Sequence, residues 1–192
     1  MEDYLAEGQE KLKAAYPDVW AKLDSAQTLL GEAKSSEDYQ AIGIHCRDAM
    51  IVFANAIFSP DFVPEGQRVP AEDHAKARIE MTLQHFGQLA GSEEIRKLTK
   101  AVVAYAMRLH HNQDATAEEA RRALLFTTAA LIELTALIET ATKNEQWVQK
   151  WGVYKCGGCG STQLVEEHCD DYDGPGPSFL ICQKCNWQAI DD

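Results

Sequence analysis

The sequence predicts a mainly α-helical protein, a helical bundle over residues 1–150 followed by a small β ribbon over residues 151–192. Three observations carry this. Apolar residues recur at spacings of three and four through most of the first 150 residues. Serine, threonine or proline, often with acidic residues behind it, opens most of the apolar runs. After Trp147 the helical period stops, and two C-x-x-C pairs flank short β-prone runs.

A first helix is expected to Ala15, and Pro17 opens a second through about Ala33. Ser35 or Ser36 caps a third, which carries Ile44, Met50, Phe53 and Ile57 to about Phe58. Ser59-Pro60-Asp61-Phe62-Val63-Pro64-Glu65-Gly66 breaks the pattern as a loop. Pro70, with Glu72 and Asp73 behind it, starts a fourth helix whose apolar face is Ile79, Leu83 and Phe86. Ser92 caps a fifth, with the stripe Ile95, Leu98, Val102, Tyr105 and Leu109. Thr116 and Glu119 form a capping box that opens a sixth, long helix to about Lys143.

That last helix is apolar on two faces. Leu124, Leu131, Leu134, Leu137 and Ile138 lie along one, and Leu125, Ile132 and Ala136 along another. Either it forms the centre of the bundle or its second face meets another chain. Its most apolar stretch, Leu124 to Ile138, spans 15 residues and contains Glu133, which is short for a bilayer span. A lone carboxylate there is expected to bond a neighbour or specify an interface. No membrane partner is expected. The N-terminal residues lack a basic region and an apolar run, so a cytoplasmic location with reduced thiols is expected.

Reduced thiols favour a metal over disulfides. Cys156, Cys159, Cys182 and Cys185 form two pairs with 22 residues between them. Each pair can present two thiolates to one ion, and soft sulfur ligands in a tetrahedral set suit zinc. The glycines of Cys156-Gly157-Gly158-Cys159-Gly160 allow a tight, partly left-handed turn whose N–H groups can donate to sulfur. Four thiolates leave no position for water, so the ion is expected to be structural. Gln163 to Glu166 and Phe179 to Ile181 read as strands, with Trp187 and Ile190 following. So small a module has little core of its own, and the ion supplies most of its stability. His168 and Cys169 are further possible ligands in the ribbon loop, and Cys46 reads as a small core residue.

The chain carries a net charge of −12. From Gly152 onward seven acidic residues face only Lys155 and Lys184, a net of −5. Phosphate contacts require cations, so the balance disfavours RNA or DNA as a partner of the ribbon. A protein partner is the expected use of its surface. No glycine-rich phosphate loop, nucleophile elbow or His-Glu-x-x-His motif occurs.

The helical part carries two further segments of interest. Ile44-His45-Cys46-Arg47-Asp48-Ala49-Met50, continuing through Phe53-Ala54-Asn55-Ala56-Ile57-Phe58, lies on the third helix. Leu109-His110-His111-Asn112-Gln113-Asp114-Ala115-Thr116-Ala117-Glu118-Glu119-Ala120 links the fifth to the sixth. Together, over about residues 36–142, they resemble HEPN (higher eukaryote and prokaryote nucleotide-binding) proteins. The resemblance implies a helical bundle that forms a homodimer. Many such proteins are metal-independent endoribonucleases of phage-defence and toxin–antitoxin systems. Their motif is an arginine, four to six residues, then a histidine, paired across the dimer cleft.

This chain departs from that motif. Counted back from His111, the arginine would fall at Ala104, Tyr105 or Ala106. The nearest is Arg108, three residues before His111 and so on a neighbouring helical position. Arg108 and His111 are the candidate catalytic pair. His111 equally fits a helix C-terminus, where histidines favour the dipole. His45, Arg47 and Asp48 could face the same cleft or form an ordinary polar face, while His74 and His85 need no function. The leading expectation is a zinc-binding, non-catalytic HEPN-like binding or regulatory protein, homodimeric through its last helices. An endoribonuclease using Arg108 and His111 is the alternative.

Overall fold

A computed structural model describes residues 2–86, 93–151, 155–168 and 178–190. Ser92, Cys169 and the polar loop around Asp171 lie outside the described residues, as does the side chain of His168. The helices are α1 (Glu2–Ala15), α2 (Pro17–Glu32), α3 (Ser36–Ile57), α4 (Ala75–Phe86), α5 (Glu93–His111) and α6 (Ala117–Trp151), with a 3-10 turn at Pro60–Phe62. The strands are β1 (Leu164–His168), β2 (Ser178–Cys182) and β3 (Gln188–Ile190). The chain divides into two compact units, Met1–Glu139 and Thr140–Asp192, and α6 contributes residues to both.

In the first unit α3 is the central helix, packing against α2, α4 and α5. Its start is a complete capping box. The Ser35 hydroxyl accepts the Asp38 N–H at 3.2 Å, and the Asp38 carboxylate accepts the Ser35 N–H at 3.0 Å. Its fully buried residues are Ile42, Cys46, Ala49, Met50, Phe53 and Ala54. Ile44 was expected on this face but lies two positions off the stripe and is exposed. Tyr16 meets Phe53 edge to face, with centroids 4.9 Å apart. Burial pushes the Cys46 thiol up to about 11, opposed by a hydrogen bond with Thr127, so it is an inert core residue as expected.

The fourth helix starts later than Pro70. The carbonyls of Pro70 and Ala71 accept from the Arg78 guanidinium, which also donates to Asn55 Oδ1 at 3.0 Å and lies over the Phe58 ring. The Ala71 carbonyl also accepts the His74 N–H at 3.0 Å as a single turn, and α4 starts at Ala75. Ile79, Leu83 and Phe86 are buried as expected, and His85 stacks on Phe62 at 4.0 Å.

On α5 the buried line is Thr99, Val102, Ala106 and Leu109. Leu98, expected on the stripe, is exposed, and Tyr105 is half-buried. The cause is the crossing with α3. At Gly43 an added Cβ would stand 2.8 Å from the His110 nitrogen and 3.1 Å from the Ala106 carbonyl oxygen, so the two backbones nearly touch. This turns the 106–110 side of α5 inward.

Thr116 and Glu119 form the expected box at α6, with reciprocal bonds of 3.3 and 3.0 Å. The helix continues past Lys143 to Trp151, since no glycine or proline interrupts it. Ala117–Gln146 is long and apolar enough to cross a membrane by length and composition. Within the first unit, though, it is a core helix: Leu131, Leu134, Thr127 and Thr135 are buried. Its second face is divided. Ile132 is buried and lies against Gly8 of α1, and Glu133 accepts a hydrogen bond from Tyr4 at 3.0 Å. Leu125 and Phe126 remain 59% and 42% exposed.

In the second unit β1, β2 and β3 form an antiparallel sheet in that order. Leu164 pairs with Cys182, and Leu180 with Ala189. The third strand, after Trp187, was not expected as a strand. Its small core is Leu164, Leu180, Cys156 and Cys182 with Trp187 packed against it.

Candidate metal centre

The two cysteine pairs fold into knuckles of the same design. In the first, Cys156 N–H donates to the Ser161 carbonyl at 2.9 Å and Gly160 N–H to the Cys156 carbonyl at 2.9 Å. In the second, Cys182 N–H donates to the Trp187 carbonyl at 2.8 Å and Asn186 N–H to the Cys182 carbonyl at 2.8 Å. The residue after each second cysteine is left-handed, Gly160 at φ 68° and Asn186 at φ 58°. Glycine takes that conformation freely, and asparagine is among the few other residues that adopt it routinely.

The left-handed residue expected within Cys156-Gly157-Gly158-Cys159-Gly160 is thus Gly160, while Gly157 and Gly158 keep negative φ. Each glycine has a different task. A Cβ on Gly157 would stand 3.1 Å from the Trp187 ring, so its absence lets the indole cover the knuckle. Gly158 donates its N–H to Cys156 Sγ at 3.2 Å, and Cys159 does so at 3.4 Å.

The four Sγ atoms lie within 4.8 Å of one another. Cys156 and Cys185 are 3.4 Å apart, and Cys159 and Cys182 are 3.6 Å apart. An ion about 2.3 Å from four tetrahedral thiolates would set its sulfurs about 3.8 Å apart. The donor set therefore fits a soft, four-coordinate ion. Cys156 and Cys182 are buried, and Cys159 and Cys185 are exposed. Burial opposes ionisation of Cys156. The N–H of Cys159, the Cys185 sulfur and the N–H of Gly158 outweigh it and bring the thiol down to about 7. At Cys185 the Trp187 N–H favours the thiolate, but the Cys156 and Cys159 sulfurs push it up to about 12. Four sulfurs this close cannot all carry charge without a cation among them. With all four engaged, the ion's tetrahedral shell is filled and its chemistry is to hold the module together.

The histidines at the end of α5 form a separate cluster. His110 and His111 stack, with centroids 4.3 Å apart and planes at 25°. Burial, His111 and Arg47 hold His110 below the usual histidine range, with Asp48 opposing. Arg47 and Asp48 of α3 are near enough to act electrostatically on His110, and they also pair with each other at 3.8 Å. His111 is exposed, as its place opposite Val102 predicts. Arg108 does not turn toward His111: its guanidinium lies over the Tyr105 ring, 4.7 Å from the centroid. His45 sits on α3 with its Nδ1 buried and unpartnered among the described residues.

No family profile, curated protein or solved structure matches the chain. The resemblance to HEPN proteins thus rests on the quoted segments alone.

Proposed function

We propose that this protein is a zinc-stabilised, non-catalytic binding protein with a HEPN-like bundle, whose acidic ribbon docks a protein partner. One observation supports it above others: all four thiolates of the ribbon converge on one point. An ion held there would have no open position for a substrate. Zinc is the ion of choice because the set is all sulfur, tetrahedral and demands no redox change. The module is acidic, so an RNA backbone is a poor ligand for it. A system of phage defence or toxin–antitoxin type is the setting the HEPN resemblance implies. The test is recovery of partners by the full chain and by a chain ending at residue 150. The docking reading expects at least one partner to be lost on truncation. Identical partners from both would overturn it.

A second reading, a metal-independent endoribonuclease, draws on the stacked His110 and His111, with Arg108 in the same last turn of α5 and Arg47 and Asp48 acting electrostatically on His110. A histidine could activate a ribose hydroxyl and a nearby arginine could neutralise the phosphate. RNA cleavage in chelator that disappears in His111→Ala would establish this reading and overturn the non-catalytic one.

A further inference from the structure

A groove of about 710 Å³ lies between α3, α4 and α5, within the first unit. It is unrelated to the cysteine module, and Arg108 and His111 do not line it. Its size is in the usual range for small-molecule sites, roughly 300–1,000 Å³. Ile51, Val103 and Met107 supply its accessible apolar surface, with the fully buried Met50 behind them. Ile51, Val103 and Met107 are half-buried, so this surface stays partly in contact with solvent. Methionine is unbranched and polarizable, and suits a surface that adapts to an apolar ligand.

The charges around it are unequal. Arg47, Lys76 and Lys100 line the groove against Asp73 and Glu80, a surplus of one cation in a chain of net charge −12. Glu80 is already engaged, at 2.7 Å from Lys100 and 3.8 Å from Arg96. Asp73 pairs with His74 at 3.9 Å. Arg47 has only a long contact of 3.8 Å to Asp48, and Lys76 has no ion pair among the described residues. The first turn of α4, Ala75 to Ala77, forms one wall, which adds the positive end of that helix's dipole.

We propose that this groove binds a small amphipathic carboxylate. An alkyl or aryl body would lie on Ile51, Val103 and Met107, with the carboxylate toward Arg47 and Lys76. Apolar burial supplies most of the affinity, and the cations select an anion over its neutral counterpart.

Decanoate and decanol are the probes, titrated calorimetrically into the full chain. The expected result is saturable binding of one decanoate per chain, with decanol about five-fold weaker or more. Arg47→Gln combined with Lys76→Gln should bring decanoate down to the level of decanol. Val103→Phe should weaken both probes while the circular dichroism spectrum stays that of the parent. If Val103→Phe fails to fold, the double charge variant still decides, because Lys76 is exposed and Arg47 half-buried, neither in the core. Absence of saturable binding, or equal binding of decanoate and decanol, would overturn the proposal.

Discussion

Gly160 and Asn186 hold equivalent left-handed positions, one after each second cysteine. The first is legible because glycine follows a C-x-x-C pair. The second is not, because asparagine is common in loops of every conformation. Gly160→Ala places a Cβ in the left-handed region, which costs about 1–2 kcal/mol. Metal affinity, measured by competition with a chelator, should fall roughly five- to thirty-fold. Asn186→Gly should leave it within a few-fold, because glycine relieves strain there while adding freedom to the unfolded chain. Gly43 illustrates a different kind of constraint. Gly43→Ala would press a methyl group against the backbone of α5 rather than against a side chain that could move. It should cost about 1–3 kcal/mol, read as a lower urea midpoint with an unchanged slope. Nothing in the sequence marks this glycine, since the contact lies 67 positions along the chain, at His110. The same crossing explains why Leu98 faces outward although it fits the apolar period of α5.

Among the elements, helix starts are most legible where a capping box is encoded locally. Thr116 with Glu119 forms as its spacing predicts, and Ser35, one of two caps the sequence offers, is the one used and completes a box with Asp38. The α4 start is illegible for the opposite reason. The segment before it is held by Arg78 reaching back to carbonyls seven and eight residues earlier, a contact with no local sequence signal. The far end of α6 is misjudged because its composition turns polar while nothing stops the helix. Its two apolar faces divide as follows: α1 meets Ile132 and Glu133, while Leu125 and Phe126 stay open beside Tyr105. The homodimer expected from the HEPN resemblance would bury that open patch. Leu125→Glu with Phe126→Glu should convert a dimer to a monomer in light scattering, with each change altering monomer stability by about 0.5 kcal/mol or less. A parent chain already monomeric at micromolar concentration would remove the dimer from the account.

For the whole molecule, two units with different sources of stability follow from the sequence. The first has large buried side chains such as Phe53, Leu131 and Leu134, and its fold is a matter of apolar burial. Among the described residues of the second, the ribbon core is Cys156, Leu164, Leu180 and Cys182 with Trp187 packed against it. Such a core is too small to stand alone, and an ion held by the four cysteines would contribute on the order of 10–16 kcal/mol. This much is legible from cysteine spacing, because the ligands lie close together in sequence within each pair. The groove of α3, α4 and α5 is not, because it depends on how three helices separated in sequence cross.

Metal content of the purified chain, followed by replacement with cobalt, tests the central claim most directly. The account predicts one zinc per chain and, on exchange, the absorption of tetrahedral cobalt bound by four thiolates. Cys159→Ser or Cys185→Ser should lose that spectrum, and chelation should abolish the sheet of β1 to β3 while the helical signal of the bundle persists. A chain that carries no metal, with the ribbon still folded in chelator, would contradict it.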